Sequence, residues 1–155
     1  MISATITMFV ILFAGFVPSI TLTQSQANIW YAKQGDAARE RIVIEMIVFT
    51  SRDGPSGPVQ YIDVYVRNVQ DIEVKITGIL IIKDPDSPNP LVYAIYQTSI
   101  PPTLPATVMA KTGVVGAPAP VVMFEVQHPW VPSTNYAIKV VTARGSDAVS
   151  RAKAP

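Results

Sequence analysis

The rhythm of apolar and polar positions changes once along this chain, near residue 41. Residues 1–32 contain no Asp, Glu, Lys, Arg or His, and residues 8–17 (Met-Phe-Val-Ile-Leu-Phe-Ala-Gly-Phe-Val) are apolar in every direction around a helix. A helix lying on a soluble core keeps a polar stripe, whereas one surrounded by lipid or by other apolar helices does not. Read as helix from Ile2 to Leu22, the stretch is roughly 30 Å long, about the thickness of a bilayer's hydrocarbon core. Ile6, Phe9, Val10, Leu12, Phe13, Phe16 and Val17 are its candidate packing residues. Pro18 removes one backbone hydrogen bond and predicts a kink, with Ser19, Thr21 and Thr23 able to bond back to the backbone. Trp30 and Tyr31 form an amphipathic aromatic pair of the kind found at a membrane interface. Residues 32–41 are good helix formers apart from Gly35, so the helix is expected to run to about Glu40. A cleavable secretory signal fits less well, because no basic residue precedes the apolar run.

After this the text becomes strand-like. Ile42, Val43, Ile44, Met46, Ile47, Val48 and Phe49 form a dense, β-branched run suited to a covered sheet. A turn cluster at 51–58 leads to Gln60, Ile62, Val64 and Val66, alternating with Tyr61, Asp63, Tyr65 and Arg67, and together these predict a hairpin. Further strands are expected over 72–83, with Gly78 as a bulge or bend, and over 91–97, 121–126 and 136–143. About seven strands separated by Pro- and Gly-rich turns suggest a two-sheet sandwich. The expected class is therefore α+β: a long hydrophobic amino-terminal helix (1–40) followed by an all-β, immunoglobulin-like sandwich (41–155). The tail, 144–155, reads as polar surface.

Composition narrows this picture. At 155 residues, the chain leaves about 115 after the apolar segment, enough for one small sandwich and no second domain. A net charge of +1 and a charged fraction of 15% give no footprint for nucleic acid. The sequence has no cysteine, which excludes disulfides, thiol catalysis and the usual zinc sites.

Candidate chemistry is sparse. His128, the single histidine, sits in Gln-His-Pro-Trp with no catalytic partner close in sequence, and reads as a packing residue. Asp84, Asp86, Ser87 and Asn89 offer oxygen ligands but lack the glycine and distal glutamate of a calcium loop, so they read as a solvated turn. No phosphate-binding Gly-rich loop, Gly-x-Ser-x-Gly elbow, His-Glu-x-x-His pair or Asn-x-Ser/Thr sequon occurs. The expectation is no enzyme, no cofactor and no metal. Tyr61 and Tyr65 fall on one strand face, and with Tyr93 and Tyr96 they suit a half-wet sheet. The connection from 100 to 120 is the better interaction element, since Leu104, Val108, Met109, Val114 and Val115 are costly to leave in water.

An uncharged amino-terminal helix, a short amphipathic continuation and an all-β domain of this size resemble the archaeal type IV filament superfamily: archaeal pilins, archaellins and archaellum accessory proteins. Locally, Arg39-Glu40-Arg41-Ile42-Val43-Ile44-Glu45, Val64-Tyr65-Val66-Arg67-Asn68-Val69 and Ala137-Ile138-Lys139-Val140-Val141-Thr142-Ala143-Arg144-Gly145 are similar to segments of the accessory proteins. Thr5 stands where bacterial pilins carry a glutamate, which favours the archaeal branch. The resemblance implies a homo-oligomeric filament at the cell surface, inserted in the membrane before assembly, with apolar helices bundled centrally and β domains as sheath. The alternative it implies is a membrane-anchored, stator-type accessory protein whose β domain grips the surface-layer protein. Lys33, Arg39 and Arg41 follow the apolar run and none precedes it, so export of the β domain implies a basic leader removed upstream of Met1.

Overall fold

The computed structural model describes residues 40–98, 100–110 and 120–155. All of them fall in one compact unit, Ala37–Pro155. Eight strands follow in order: β1 (Ile42–Gly54), β2 (Gly57–Asn68), β3 (Val74–Lys83), β4 (Leu91–Ile95), β5 (Ala106–Val108), β6 (Val121–Gln127), β7 (Asn135–Thr142) and β8 (Asp147–Lys153). The α+β class is corrected by this result. Among the described residues there is no helix, and their regular structure is all-β. Glu40, expected to close the helix, has no regular structure, and its buried carboxylate is engaged by the β7–β8 corner. The rest of the expected helix, residues 1–39, lies outside the described residues, as do Trp30 and Tyr31. Among the described residues no helix is long and apolar enough to cross a membrane.

Two antiparallel sheets form. Sheet A has the order β1-β2-β6, and sheet B the order β4-β3-β7-β8, with β5 also pairing with β3. Alternation explains the packing, since successive side chains point to opposite faces of a strand. Ile62, Val64 and Val66 of β2 and Phe124 and Val126 of β6 turn inward from sheet A. They join Ile76, Ile79 and Ile81 of β3 and Ile138 and Val140 of β7 in one apolar core. Fully burying side chains of this kind is worth about 1.5–3 kcal/mol each.

Two bulges adjust the register. One lies between Ile44 and Met46, so that Glu45 is the extra residue of β1 opposite β2. The other lies between Ile76 and Gly78 of β3, opposite Val141 and Thr142. Gly78 lets the Tyr96 ring come close there: a Cβ at this position would stand 3.2 Å from that ring.

The tail, expected only to be polar surface, forms strand β8, which adds to the edge of β7 from Asp147 to Lys153. Its inward row is made of small residues, and Ala148 and Ala154 pack on the core. Such residues carry little hydropathy, so the alternation is faint in the sequence.

The strand directions define two ends of the sandwich. β1 begins, β2 ends and β7 ends at the end where the chain arrives at Glu40; we call this the junction end. The β1–β2 turn and the start of β7 lie at the opposite end.

Candidate assembly surfaces

At the junction end, three buried polar groups organise the backbone. Glu40, with a side chain only 1% exposed, accepts from Thr142 Oγ1 at 2.6 Å through Oε2 and from Arg144 Nη1 at 3.0 Å through Oε1. Val69 N donates to Arg41 O at 3.0 Å, which fixes the start of β1 against the end of β2. Asn68 is fully buried, and its Nδ2 donates to Ile72 O at 2.6 Å and, more weakly, to Met109 O at 3.3 Å. Its Oδ1 accepts from Gln70 N at 3.1 Å. A buried amide of this type is retained only when its donors and acceptor find partners. The junction end is thus a platform built from buried, fully engaged polar groups.

The outer face of sheet A forms a second surface. Register places Val43, Arg67 and Val121 in one row, Met46, Tyr65 and Met123 in the next, and Val48, Asp63 and Glu125 in a third. Apart from Arg67 the first two rows are largely apolar and partly open, with Met46 50% and Val121 41% exposed. Arg67 is held to Glu45 at 2.8 Å and so lies along the face.

The third row is unusual because Asp63 and Glu125 are both buried and directly opposite each other across the β2–β6 pair. Arg52 reaches both, with Nη1 on Glu125 and Nη2 3.5 Å from Asp63 Oδ2, and its guanidinium lies 5.2 Å from the Tyr61 ring centre. Desolvation by burial pushes the Asp63 carboxyl above its ordinary value; Arg52 opposes this shift and Glu125 adds to it.

At the opposite end an aromatic cluster closes the core. Phe49 packs on Trp130 at 5.7 Å and on Tyr136 at 5.5 Å, and His128 sits between Tyr93 at 4.7 Å and Tyr136 at 6.5 Å. Gln60 ties this cluster to β2, its backbone O accepting from His128 N at 3.1 Å and its Oε1 from Trp130 N at 3.0 Å. Burial without a counter-ion holds the His128 imidazole below its usual pKa. The structure thus places His128 as a wedge between rings.

The connection singled out from the sequence divides. Leu104 and Val108 do not face outward: they are 5% and 0% exposed and belong to the core, with Val108 on β5 opposite Val74. Thr98 Oγ1 helps to seat this segment, accepting from Leu104 N at 3.2 Å and donating to Pro102 O at 3.0 Å. Met109 is open, at 56%. Val114 and Val115 lie outside the described residues. Asp86, from the oxygen-rich turn, pairs with Arg151 at 2.9 Å. Sequence reasoning missed Glu40, Asn68 and the Asp63–Glu125 pair; the even spacing of Asp63 with Tyr61 and Tyr65 was visible, but its cross-strand partner was not.

No family profile matches this chain, and no curated protein matches it. Among solved structures, it is similar to the archaeal flagellum of Methanospirillum hungatei strain JF1, with 18% identity over 99% of this chain and 85% of that one and a TM-score of 0.57. Weaker likenesses are to the archaellum periplasmic stator protein FlaG from Sulfolobus acidocaldarius (16% identity, 73% of this chain and 99% of that one, TM-score 0.47) and to the FlaF and FlaG stator complex of the same organism (13%, 72% and 87%, TM-score 0.44). The chain shares its fold with that archaeal flagellum protein.

Proposed function

We propose that this chain is a structural subunit of an extracellular archaeal filament of the archaellum or pilus kind. The observation that carries the reading is the fold shared with the M. hungatei flagellum over nearly the whole of this chain. It is supported by an amino-terminal stretch, residues 1–32, without a single charge. Leaving such a stretch in water is unfavourable in proportion to its apolar area, so it requires lipid before assembly and apolar surface from neighbouring copies afterwards. The division of labour falls near residue 40: residues 1–40 join subunits, and residues 41–155 form the sheath. In this reading Ile6, Phe9, Val10, Leu12, Phe13, Phe16, Val17 and Pro18 make the inner contacts, with Trp30 and Tyr31 at the boundary. The partly open rows Val43–Val121 and Met46–Met123 make contacts in the sheath.

A second reading, a membrane-anchored accessory protein that grips the surface layer, is favoured by the local similarity of residues 39–45, 64–69 and 137–145 to accessory-protein segments. Shearing separates the two. Filaments sheared from cells, purified and sequenced from the amino terminus should yield this chain as a major component. Its absence from the sheared fraction, with retention in membranes, would reject the filament and leave the anchor.

A further inference from the structure

The described residues include several sheet edges, and most are protected against pairing with another strand. β1 has its bulge at Glu45 and carries Arg52 and Asp53. β8 alternates Asp147, Arg151 and Lys153 with small residues. β6 carries Glu125, and β5 is only three residues long. Charges, bulges and shortness are the usual means of blunting an edge. β4 has none of these except modest length: Leu91-Val92-Tyr93-Ala94-Ile95 contains no charge, proline, glycine or bulge. One side of β4 pairs with β3, and its other side is the end of sheet B among the described residues. Leu91, Val92 and Tyr93 are 53%, 55% and 40% exposed, while the inner side of Tyr93 meets His128 and Ile95 packs on the core.

We propose that β4 docks against β4 of a second copy, antiparallel about a two-fold axis at Tyr93, so that two B sheets become one. Strand addition of this kind draws its affinity from main-chain hydrogen bonds and its register from alternate side chains. The β4 sequence is complementary to itself in this register. Tyr93 meets Tyr93, Val92 meets Ala94, and Leu91 meets Ile95, so apolar faces apolar at every position and no charge is buried. Aromatic and β-branched cross-strand pairs are the favourable ones. A two-fold axis perpendicular to the sheet keeps the inward row Leu91, Tyr93 and Ile95 on the inward side in both copies. Pairing β4 with β8 of another copy would instead set apolar residues against Asp147, Arg151 or Lys153. Pro90, which lacks an N–H, ends the ladder on one side, and by symmetry on the other. Such a contact is isologous, the same patch on both copies. In a filament whose subunits all point one way this two-fold contact would join copies in neighbouring filaments, and in an anchor it would join two anchors.

The cysteine-free sequence gives a direct test. Val92→Cys and Ala94→Cys are made separately in the full chain and purified in dodecyl maltoside. Each is oxidised alone and in an equimolar mixture, and the disulfide-linked dimer is quantified. The proposed register brings position 92 of one copy opposite position 94 of the other, so the mixture should give several-fold more dimer than either variant alone. Val149→Cys, on the opposite edge of sheet B, should stay at background. Equal yields in the mixture and the separate variants, no cross-link in the mixture, or a Val149→Cys yield matching it would overturn the proposal. So would cross-linking of Ala94→Cys in cells to a different protein in place of its own copy. The shear experiment reads the location of the chain and this one its pairing, so either can fail alone.

Discussion

Glu40 and Arg144 stand 104 residues apart in sequence and meet at 3.0 Å in the fold, the carboxylate buried and the guanidinium partly open to solvent. With the Thr142 hydroxyl on its other oxygen, Glu40 joins the segment leading into β1 of sheet A to the β7–β8 corner of sheet B. Removing the carboxylate leaves a buried hydroxyl without its acceptor. Glu40→Ala should lower the unfolding free energy by roughly 1–3 kcal/mol, measured by urea denaturation. Glu40→Gln, which keeps an acceptor for Thr142, should lose less. An unchanged midpoint for Glu40→Ala would show that the clamp adds nothing.

Asp63 predicts an unusual pH response. Its folded-state pKa is raised above the model-compound value of 3.8, chiefly by desolvation. The folded state therefore holds this proton more tightly than the unfolded chain. The stability it contributes is fully present below pH 3.8 and is lost as pH rises through the folded value. Asp63→Asn should remove that loss, so the variant gains on the parent as pH increases from 3.8. The urea midpoint of each protein against pH is the measurement.

His128 acts with the opposite sign. Its pKa is depressed below 6.5 by burial between Tyr93 and Tyr136. The unfolded chain then binds the proton more readily, and stability falls as pH drops below about 6.5 toward the folded value. His128→Phe should flatten the stability profile on this limb, and imidazole proton shifts followed by NMR should titrate below pH 6.5.

Gly78 and Tyr96 should be energetically coupled. The Tyr96 ring lies against the space a Cβ would take, and Tyr96 is itself 67% exposed, so the ring can yield. Gly78→Ala should cost little. Gly78→Val should cost about 1–3 kcal/mol, as overpacking does, and Tyr96→Ala should recover part of that loss in a double-mutant cycle.

Leu12→Asp tests the apolar segment. A charge at the centre of a membrane-spanning or packed apolar stretch costs about 2.5–3.5 kcal/mol on insertion scales. Cells producing this variant should show no filaments by electron microscopy. Normal filaments would remove residues 1–32 from the proposed inner contacts.

Much of the β domain was legible because its signals are local. Ile62, Val64 and Val66 alternate with Asp63, Tyr65 and Arg67 over consecutive positions, and the Gly78 bend is a one-residue signal. The connection 100–120 announced its apolar cost, but whether Val108 spends that cost inside or outside depends on Val74 across the sheet. Strand β8 was hidden because Ala148, Ala152 and Ala154 bury little area each. Glu40 read as the end of a helix from propensity alone; its partners Thr142 and Arg144 lie a hundred residues away, and only tertiary contact reveals them. The paired acids on sheet A were equally non-local, since Asp63 and Glu125 meet only through the β2–β6 register.

The placement of Glu40 also sets how the domain bears load. Tension applied at Glu40 along the β1 axis, with the domain held at its opposite end, pulls β1 lengthwise against β2. Its twelve residue pairings with β2 then resist in shear and must yield together, whereas a pull across the ladder would open them one at a time. The ties from Glu40 to Thr142 and Arg144 pass part of that force to β7 before β1 carries it alone. A domain loaded in this way is stiffest along the β1 axis.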